Sequence, residues 1–176
     1  MKHNISLWQI SGYIFTVLSG TLLHFLYGLS GKSAVAALFS GVNESTREHM
    51  KLLFFPLFTF ALFQYRFFKD YGNFFFIKLI GILVGLILIP VIFYTYNGVI
   101  GRSPDWVNIG IFFVSAAASF ATEALLLKES CIGHKNQLVP LAVLCVIGVL
   151  FVVFTFRTPH LAIFRDPITG EYGNPK

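Results

Sequence analysis

The chain is organised around the polar stretch Gly41-Val42-Asn43-Glu44-Ser45-Thr46-Arg47-Glu48-His49-Met50-Lys51, which leads directly into the apolar run Leu52-Leu53-Phe54-Phe55-Pro56. Eight of the first eleven residues are polar, and five of those eight are acidic, basic or histidine. The run that follows is long enough to cross a bilayer. Because only 12% of the chain is charged, this concentration of polar residues where a spanning segment begins predicts a functional site.

The rest of the composition is that of a membrane protein. Of the 176 residues, 56% are hydrophobic and 17% are aromatic, and the mean hydropathy is +0.74. Several runs reach the roughly 20 apolar residues that span the hydrocarbon core of a bilayer. We therefore predict an all-α, polytopic membrane helix bundle that forms a single domain over residues 1–176. The first apolar run is too long for a signal peptide and should remain as the first span.

Five spanning helices are predicted, at about 7–28, 46–68, 74–96, 105–128 and 138–156. Residues 33–42 are too few to span, and they predict a short re-entrant or interfacial segment, or a loop packed on the first span. Residues 160–176 form a polar, turn-rich C-terminal tail. Five spans place the 29–45 loop, the 97–105 loop and the tail on one membrane face. Lysines and arginines number seven on that face and six on the other, so orientation stays open.

The net charge of +5 is explained by loop lysines and arginines that face anionic headgroups, because no basic run is dense enough to predict nucleic-acid binding. We expect the lipid bilayer as a partner, together with a small ion, a polar solute or a lipid. A homo-oligomer is compatible with the sequence. The expected location is the cytoplasmic (inner) membrane, as a multi-pass protein.

The candidate ligand-binding residues are the polar side chains that this topology brings to one membrane face. His24 and His49 approach that face from consecutive antiparallel helices. Imidazole and carboxylate groups are ligands for divalent cations, so a metal cofactor held by His24, His49, Glu44 and Glu48 is one expectation. The full candidate set is His24, Asn43, Glu44, Glu48, His49, Lys51, Arg102 and Asp166.

A structural interpretation competes for part of this set. Ser45-x-x-Glu48 has the pattern of a capping box, in which Glu48 reaches back to the backbone of the capping residue. Capping explains His49 and Lys51 poorly, because a cation is unfavourable at a helix N-terminus. If the helix includes Glu44, then Glu44, Glu48 and Lys51 share one face. We therefore predict that Glu48, Lys51, His49 and His24 converge on a water-accessible cavity on the tail side.

Two ionisable residues lie within the spans near the opposite face. Lys78 is one turn into the third span, and Glu123 is one turn before the end of the fourth. Their depths match, which predicts an ion pair between them; the alternative is that the Lys78 side chain extends to the membrane interface. In the fourth span, Ser115-Ala116-Ala117-Ala118-Ser119 forms a small-residue surface suited to close helix packing.

The pattern Val42-Asn43-Glu44-Ser45-x-x-Glu48-His49-x-Lys51-Leu52, with Phe55-Pro56, resembles a family of small bacterial multi-spanning membrane proteins of unknown function. The tail sequence Phe164-x-Asp166-Pro167-x-x-Gly170-x-Tyr172-Gly173 and His24 are similar as well. The resemblance covers most of the chain and implies no known activity, but it favours the interpretation of Asn43, Glu44, Glu48, His49 and Lys51 as one unit. The family pattern has Trp before the Glu-His pair, where this chain has Arg47, which puts an interfacial anchor there in doubt.

Three functions follow as hypotheses. The leading one is binding or transport of an ion or small polar solute in a His/Glu/Lys pocket at one membrane face. The second is a membrane-embedded, metal-dependent enzyme acting on a lipid or isoprenoid, with His49 as base or metal ligand, Glu44 or Glu48 as its acid–base partner, and Lys51 stabilising a phosphate or oxyanion. The third is a structural or partner-binding subunit in which the polar set caps and locks the helices.

Overall fold

The computed structural model describes residues 4–101, 104–129 and 136–173. In these ranges the chain is a bundle of six α-helices, which confirms the predicted all-α class. The helices are α1 (Ile5–Leu29), α2 (Ala34–Ala37), α3 (Thr46–Tyr65), α4 (Phe74–Ile100), α5 (Asp105–Glu129) and α6 (Leu138–Phe156), followed by a 3-10 turn at Ala162–Phe164.

Four helices of the described chain are long and apolar enough to cross a membrane, namely α1, α4, α5 over Trp106–Glu129, and α6. Five such helices were predicted, and the difference is α3. This helix has 20 residues, but its first two turns carry Arg47, Glu48 and Lys51, which lower its hydropathy. It packs against α1 and α4 and also contacts α5 and α6, so it is the central helix of the bundle.

Close packing between α4 and α5 fixes one side of the bundle. Ser115 and Ser119 of α5 are fully buried and lie against two glycines of α4. A Cβ added at Gly81 would stand 3.0 Å from the Ser119 carbonyl oxygen, and one added at Gly85 would stand 3.1 Å from the Ser115 carbonyl oxygen. These contacts leave no room for a side chain, so the small residues allow the two backbones to approach as predicted.

The predicted pair of Lys78 and Glu123 is present between these same helices. The Lys78 Nζ lies 2.5 Å from Glu123 Oε2, and the two side chains are 1% and 0% exposed. The rings of Phe60, Phe74 and Phe120 lie 5.5–5.8 Å from the ammonium group, and such ring faces attract a cation. The charge pair is therefore enclosed by aromatic side chains.

Residues 33–42 fold back onto α1 rather than form a separate span. The helix within them, α2, has only four residues. The Ser40 hydroxyl donates to the Leu23 carbonyl over 2.5 Å and accepts from the Tyr27 amide over 2.9 Å. Ala37 is fully buried. The segment therefore closes the end of the bundle where α1 finishes and α3 begins.

Candidate functional site

Three side chains from separate segments meet at this end of the bundle. His24 comes from α1, Glu44 from the loop before α3, and His49 from the first turn of α3. The His24 Nε2 lies 3.7 Å from Glu44 Oε1, and His49 Nε2 lies 3.6 Å from Glu44 Oε2. One ligand atom from each residue lies within 4.8 Å of the other two. We call these three residues the triad.

The orientation of His49 follows from its place in the helix. Its Nδ1 lies 3.1 Å from the carbonyl oxygen of Ser45, four residues earlier. Since a carbonyl oxygen only accepts hydrogen bonds, Nδ1 carries a proton in this contact, and in the neutral imidazole Nε2 then presents its lone pair. The Nε2 is the atom that faces Glu44. A backbone contact of this kind is typical of metal-binding histidines, where it fixes both the tautomer and the ring orientation.

The triad stands at the polar end of a cleft of about 450 Å³ between α1, α3 and α5. Its other walls are mostly apolar and include Gly20, Phe25, Leu52, Ile109 and Phe112, while Thr21 and Asn108 add polar side chains. The triad side chains are 34%, 40% and 18% exposed for His24, Glu44 and His49. A ligand can therefore reach all three from the cleft.

A second polar cluster lies on the other side of α3 and is buried. Its side chains are Arg47, Glu48 and Lys51 of α3 and Thr155 of α6, and each is at most 4% exposed. The Lys51 Nζ lies 2.6 Å from Glu48 Oε2 and also donates to the Ala37 carbonyl and the Thr155 hydroxyl over 3.0 and 3.1 Å. The other Glu48 oxygen accepts from the Arg47 guanidinium. We call this set the buried network.

The predicted convergence of four residues on one cavity is therefore wrong for two of them. His24 and His49 meet beside the cleft, but Glu48 and Lys51 belong to the buried network. The reason is that α3 begins only at Thr46, so Glu44 is not on its helical face with Glu48 and Lys51. Glu48 is likewise not placed with the other predicted metal ligands, because its carboxylate contacts two cations.

The predicted capping box is also wrong. Ser45 occupies the N-cap position, but its side chain makes no capping hydrogen bond. The Ser45 amide donates to Asn43 Oδ1 over 3.0 Å. The Glu48 carboxylate instead accepts from the Val42 amide over 3.1 Å, because the helix turns it towards the bundle interior.

Arg47, like Thr155, is a member of the buried network that the sequence did not indicate as a candidate. Its guanidinium donates to the Thr155 hydroxyl over 3.0 Å and to the Phe151 carbonyl. The rings of Phe151 and Phe164 lie 5.4 and 5.8 Å from its central carbon. Position 47 thus faces α6 and the tail, not the membrane interface. The signal for this was its i, i+4 spacing from Lys51, which puts both on one helix face.

Asn43 and Asp166 attach the tail to the loop that carries Glu44. The Asn43 side-chain amide donates to the Gly173 carbonyl over 2.8 Å. The Asp166 carboxylate accepts from the Glu44 amide over 3.4 Å and from Ile168 over 2.7 Å. Both residues therefore hold the loop that carries Glu44 in place, and neither of them lines the cleft. Arg102, the remaining candidate, lies outside the described residues.

The fold and the site together define a helical-bundle protein with four helices suited to cross a membrane and a His–Glu–His cluster beside an apolar cleft. The chain belongs to DUF6512, a family of unknown function whose sequence model matches residues 1–174. No curated protein and no solved structure matches the chain. The resemblance to a family of unknown function is confirmed, while the bacterial source and the sequence motif stay predictions.

Proposed function

We propose that the protein is an integral membrane protein that binds a divalent transition-metal ion, with Zn²⁺ as the reference case, at His24, Glu44 and His49. Imidazole nitrogens and a carboxylate oxygen are ligands that zinc accepts. Ligand atoms at about 2.1 Å from a tetrahedral zinc ion lie about 3.4 Å from one another. Each imidazole nitrogen lies 3.7 or 3.6 Å from its nearer Glu44 oxygen, and the three ligand atoms lie within 4.8 Å of one another, so the side chains must draw together by up to about 1.4 Å to reach that spacing.

The observation that carries this proposal is the convergence of three metal-ligating side chains from three separate segments, with one ligand atom from each within 4.8 Å of the other two. The Nδ1 of His49 faces the Ser45 carbonyl oxygen, so in the neutral imidazole Nε2 presents its lone pair towards the Glu44 carboxylate, 3.6 Å away. A positive charge between these two atoms satisfies both of them, and the proposal is that a metal ion supplies it. A divalent ion can satisfy all three side chains at once.

The triad contributes little to the folding stability of the protein, so stability alone does not explain why these three side chains meet. Glu44 is 40% exposed and His24 is 34% exposed, and ion pairs this open to solvent contribute about 0–1 kcal/mol. The described chain already fastens this end of the bundle through the buried network. We therefore assign the triad to ligand binding and the network to structure, which restricts the structural hypothesis to Arg47, Glu48 and Lys51.

Binding is favoured over an open transport path in this conformation. The cleft reaches Gly20 and Phe112. Two turns further along α1, a Cβ at Gly12 would stand 2.5 Å from both Phe60 and Phe120, so these rings pack tightly below the cleft. An ion at the triad would therefore face one side of the membrane.

A location in the cytoplasmic membrane of a bacterium agrees with a helical rather than a β-barrel architecture.

A metal-dependent enzyme acting on a lipid is the second candidate function. Its support is that three protein ligands on a tetrahedral ion leave one position open, as in catalytic zinc sites, and that the open side is an apolar cleft. The acid–base function considered for Glu48 and the charge-stabilising function considered for Lys51 do not fit this enzyme, because both side chains lie in the buried network.

The test is zinc binding by purified protein, measured by titration calorimetry and by elemental analysis. Glu44→Gln and His49→Ala are expected to weaken zinc binding at least 10–100-fold, the range seen even for groups that only support metal ligands. The matched control is His160→Ala, because His160 stacks on Tyr172 in the tail with ring centroids 4.7 Å apart and is not in the triad.

The result that would overturn the proposal is zinc affinity that is unchanged in both triad variants, or that falls equally in His160→Ala. Zinc uptake into liposomes, followed with an entrapped fluorescent indicator, separates binding from transport. The closed packing below the cleft predicts binding without uptake.

A further inference from the structure

The cleft is much larger than a metal ion needs. Its volume of about 450 Å³ equals the share of about 15 water molecules in liquid water and falls in the range of cavities that hold small organic ligands. The triad occupies only one end. Beyond it the walls are formed by apolar residues of α1, α3 and α5 such as Leu52, Ile109 and Phe112. A hydrated ion alone would leave these walls in contact with water.

The cleft opens sideways, between α1 and α5. Phe25 of α1 and Ile109 of α5 both line it, yet they are 59% and 56% exposed. Both belong to helices that are long and apolar enough to cross a membrane, so this opening faces the hydrocarbon of a bilayer. Phe112, which is 8% exposed, forms the inner wall. An apolar ligand can enter laterally without passing through water.

The charge of the metal-bound triad selects the head group of that ligand. Two neutral imidazoles and one carboxylate bring a divalent ion to a net charge of +1. The open coordination position therefore favours an anionic oxygen. Without the metal, Glu44 makes the same place negative and unfavourable for an anion. Head-group binding should accordingly depend on the metal.

We infer that the cleft binds an amphiphile from the bilayer, with an anionic carboxylate or phosphate oxygen on the metal and a hydrocarbon chain between α1 and α5. This inference rests on the proposed metal site. From His24 to Gly20 the cleft follows about one turn of α1, or about 6 Å. The first few methylene groups of the chain are therefore buried against Leu52 and Phe112, and the rest leaves between Phe25 and Ile109.

The experiment uses cobalt(II), whose visible absorption changes when a ligand enters its coordination shell and which binds the same ligand types as zinc. The full-length protein is loaded with cobalt in a non-ionic maltoside micelle and titrated with dodecanoate, dodecyl phosphate and acetate. Burial of about four methylene groups predicts that a dodecyl ligand half-saturates the change at a concentration about 100-fold below that of acetate. Comparison of the first two ligands identifies the preferred head group.

Two matched variants test the location of the chain. Ile109→Trp places a large ring at the lateral opening and is expected to raise the half-saturating dodecanoate concentration at least 10-fold, with cobalt and acetate binding unchanged. Val114→Trp is the control, because Val114 is on the same helix, is 55% exposed and does not line the cleft. It should behave as the unaltered protein does.

The inference is overturned if dodecanoate and acetate act at the same concentration, or if the two tryptophan variants behave alike. In both cases cobalt remains bound, and the proposed metal site stands. If the unaltered protein holds no cobalt and no zinc, the metal site itself is overturned, and the metal-dependent amphiphile site with it.

Discussion

Glu44 and His49 of the triad and the three charged residues of the buried network come from the same eight residues, 44–51, but the two clusters lie on opposite sides of α3. In the buried network, each charged group contacts an opposite charge, and Glu48 lies between Arg47 and Lys51. In the triad, the Glu44 carboxylate faces His49 Nε2 with about one-fifth to two-fifths of the side chains exposed. In the first arrangement every charged group already has an oppositely charged protein partner. In the second, the three side chains offer the ligand atoms on which the proposed metal site rests.

The two clusters are neighbours in the sequence, so their position along the chain does not distinguish a structural cluster from a functional one. What distinguishes them is how far each polar group is buried and which partners it has. Burial makes an unpaired charge costly, so buried charges persist only where partners are supplied. A half-exposed group has water as a partner and needs no neighbour. Convergence of metal-ligating groups that stability does not require therefore indicates a ligand more strongly than burial does.

The largest expected effect tests the structural side of the comparison. Glu48→Gln leaves the two cations Arg47 and Lys51 buried beside a neutral amide. Loss of one partner from a buried ion pair costs about 3–5 kcal/mol, and we expect the upper end of this range here, measured as a lower midpoint of thermal unfolding in detergent. The matched control is Glu44→Gln, which should change stability by less than about 1 kcal/mol.

Equal stability losses in Glu48→Gln and Glu44→Gln would contradict the division into two clusters. If Glu48→Gln fails to accumulate in the membrane, Lys51→Met offers a milder change, because it keeps Glu48 paired with Arg47. It should unfold at a lower temperature than the unaltered protein but retain zinc binding.

Much of the fold could be predicted from the sequence because hydropathy is averaged over about 20 residues, so a single misplaced residue matters little. The pair of Lys78 and Glu123 was predictable for a related reason, since two opposite charges at equal depth in neighbouring helices must find partners. The exception was α3. Its charged first turns contact α6 and α2, and such tertiary contacts are invisible in a hydropathy profile.

The candidate site was predictable in content but not in arrangement. His24, Glu44 and His49 were identified as ligand candidates from their residue types and shared membrane face. Their separation from Glu48 and Lys51 depended on one backbone detail, the start of the helix at Thr46, and helix boundaries are uncertain by one or two residues. At 100° per residue, such an error turns a side chain to another face.

The second prediction concerns the buried ion pair of Lys78 and Glu123, which is remote from the triad and tests whether buried charges act through stability alone. Glu123→Gln should destabilise the protein by about 3 kcal/mol, because Lys78 then loses the only opposite charge that the described residues place on it. The double variant Lys78→Met/Glu123→Leu removes both charges and should recover most of that loss in thermal unfolding. Zinc binding should be unchanged in both variants.

Failure of the double variant to recover stability would show that the pair does more than neutralise its own charges. One described feature would then become relevant, namely that Glu123 Oε1 is buried without a hydrogen-bond partner in this part of the chain.

The smallest expected effect concerns how the tail supports the triad. Asn43→Ala removes two hydrogen bonds, one from its amide to the Gly173 carbonyl over 2.8 Å and one to its Oδ1 from the Ser45 amide over 3.0 Å. Each such bond contributes about 1 kcal/mol. We expect faster hydrogen exchange in residues 160–173 and a zinc affinity lowered less than in Glu44→Gln, because the loop holding Glu44 loses support but keeps its ligand. The exposed tail variant Glu171→Gln is the control and should change neither measurement. If Asn43→Ala speeds exchange in the tail and leaves zinc affinity unchanged, the prediction is contradicted. The tail then packs on this end of the bundle without positioning Glu44, whose place is set by α1 and α3 alone.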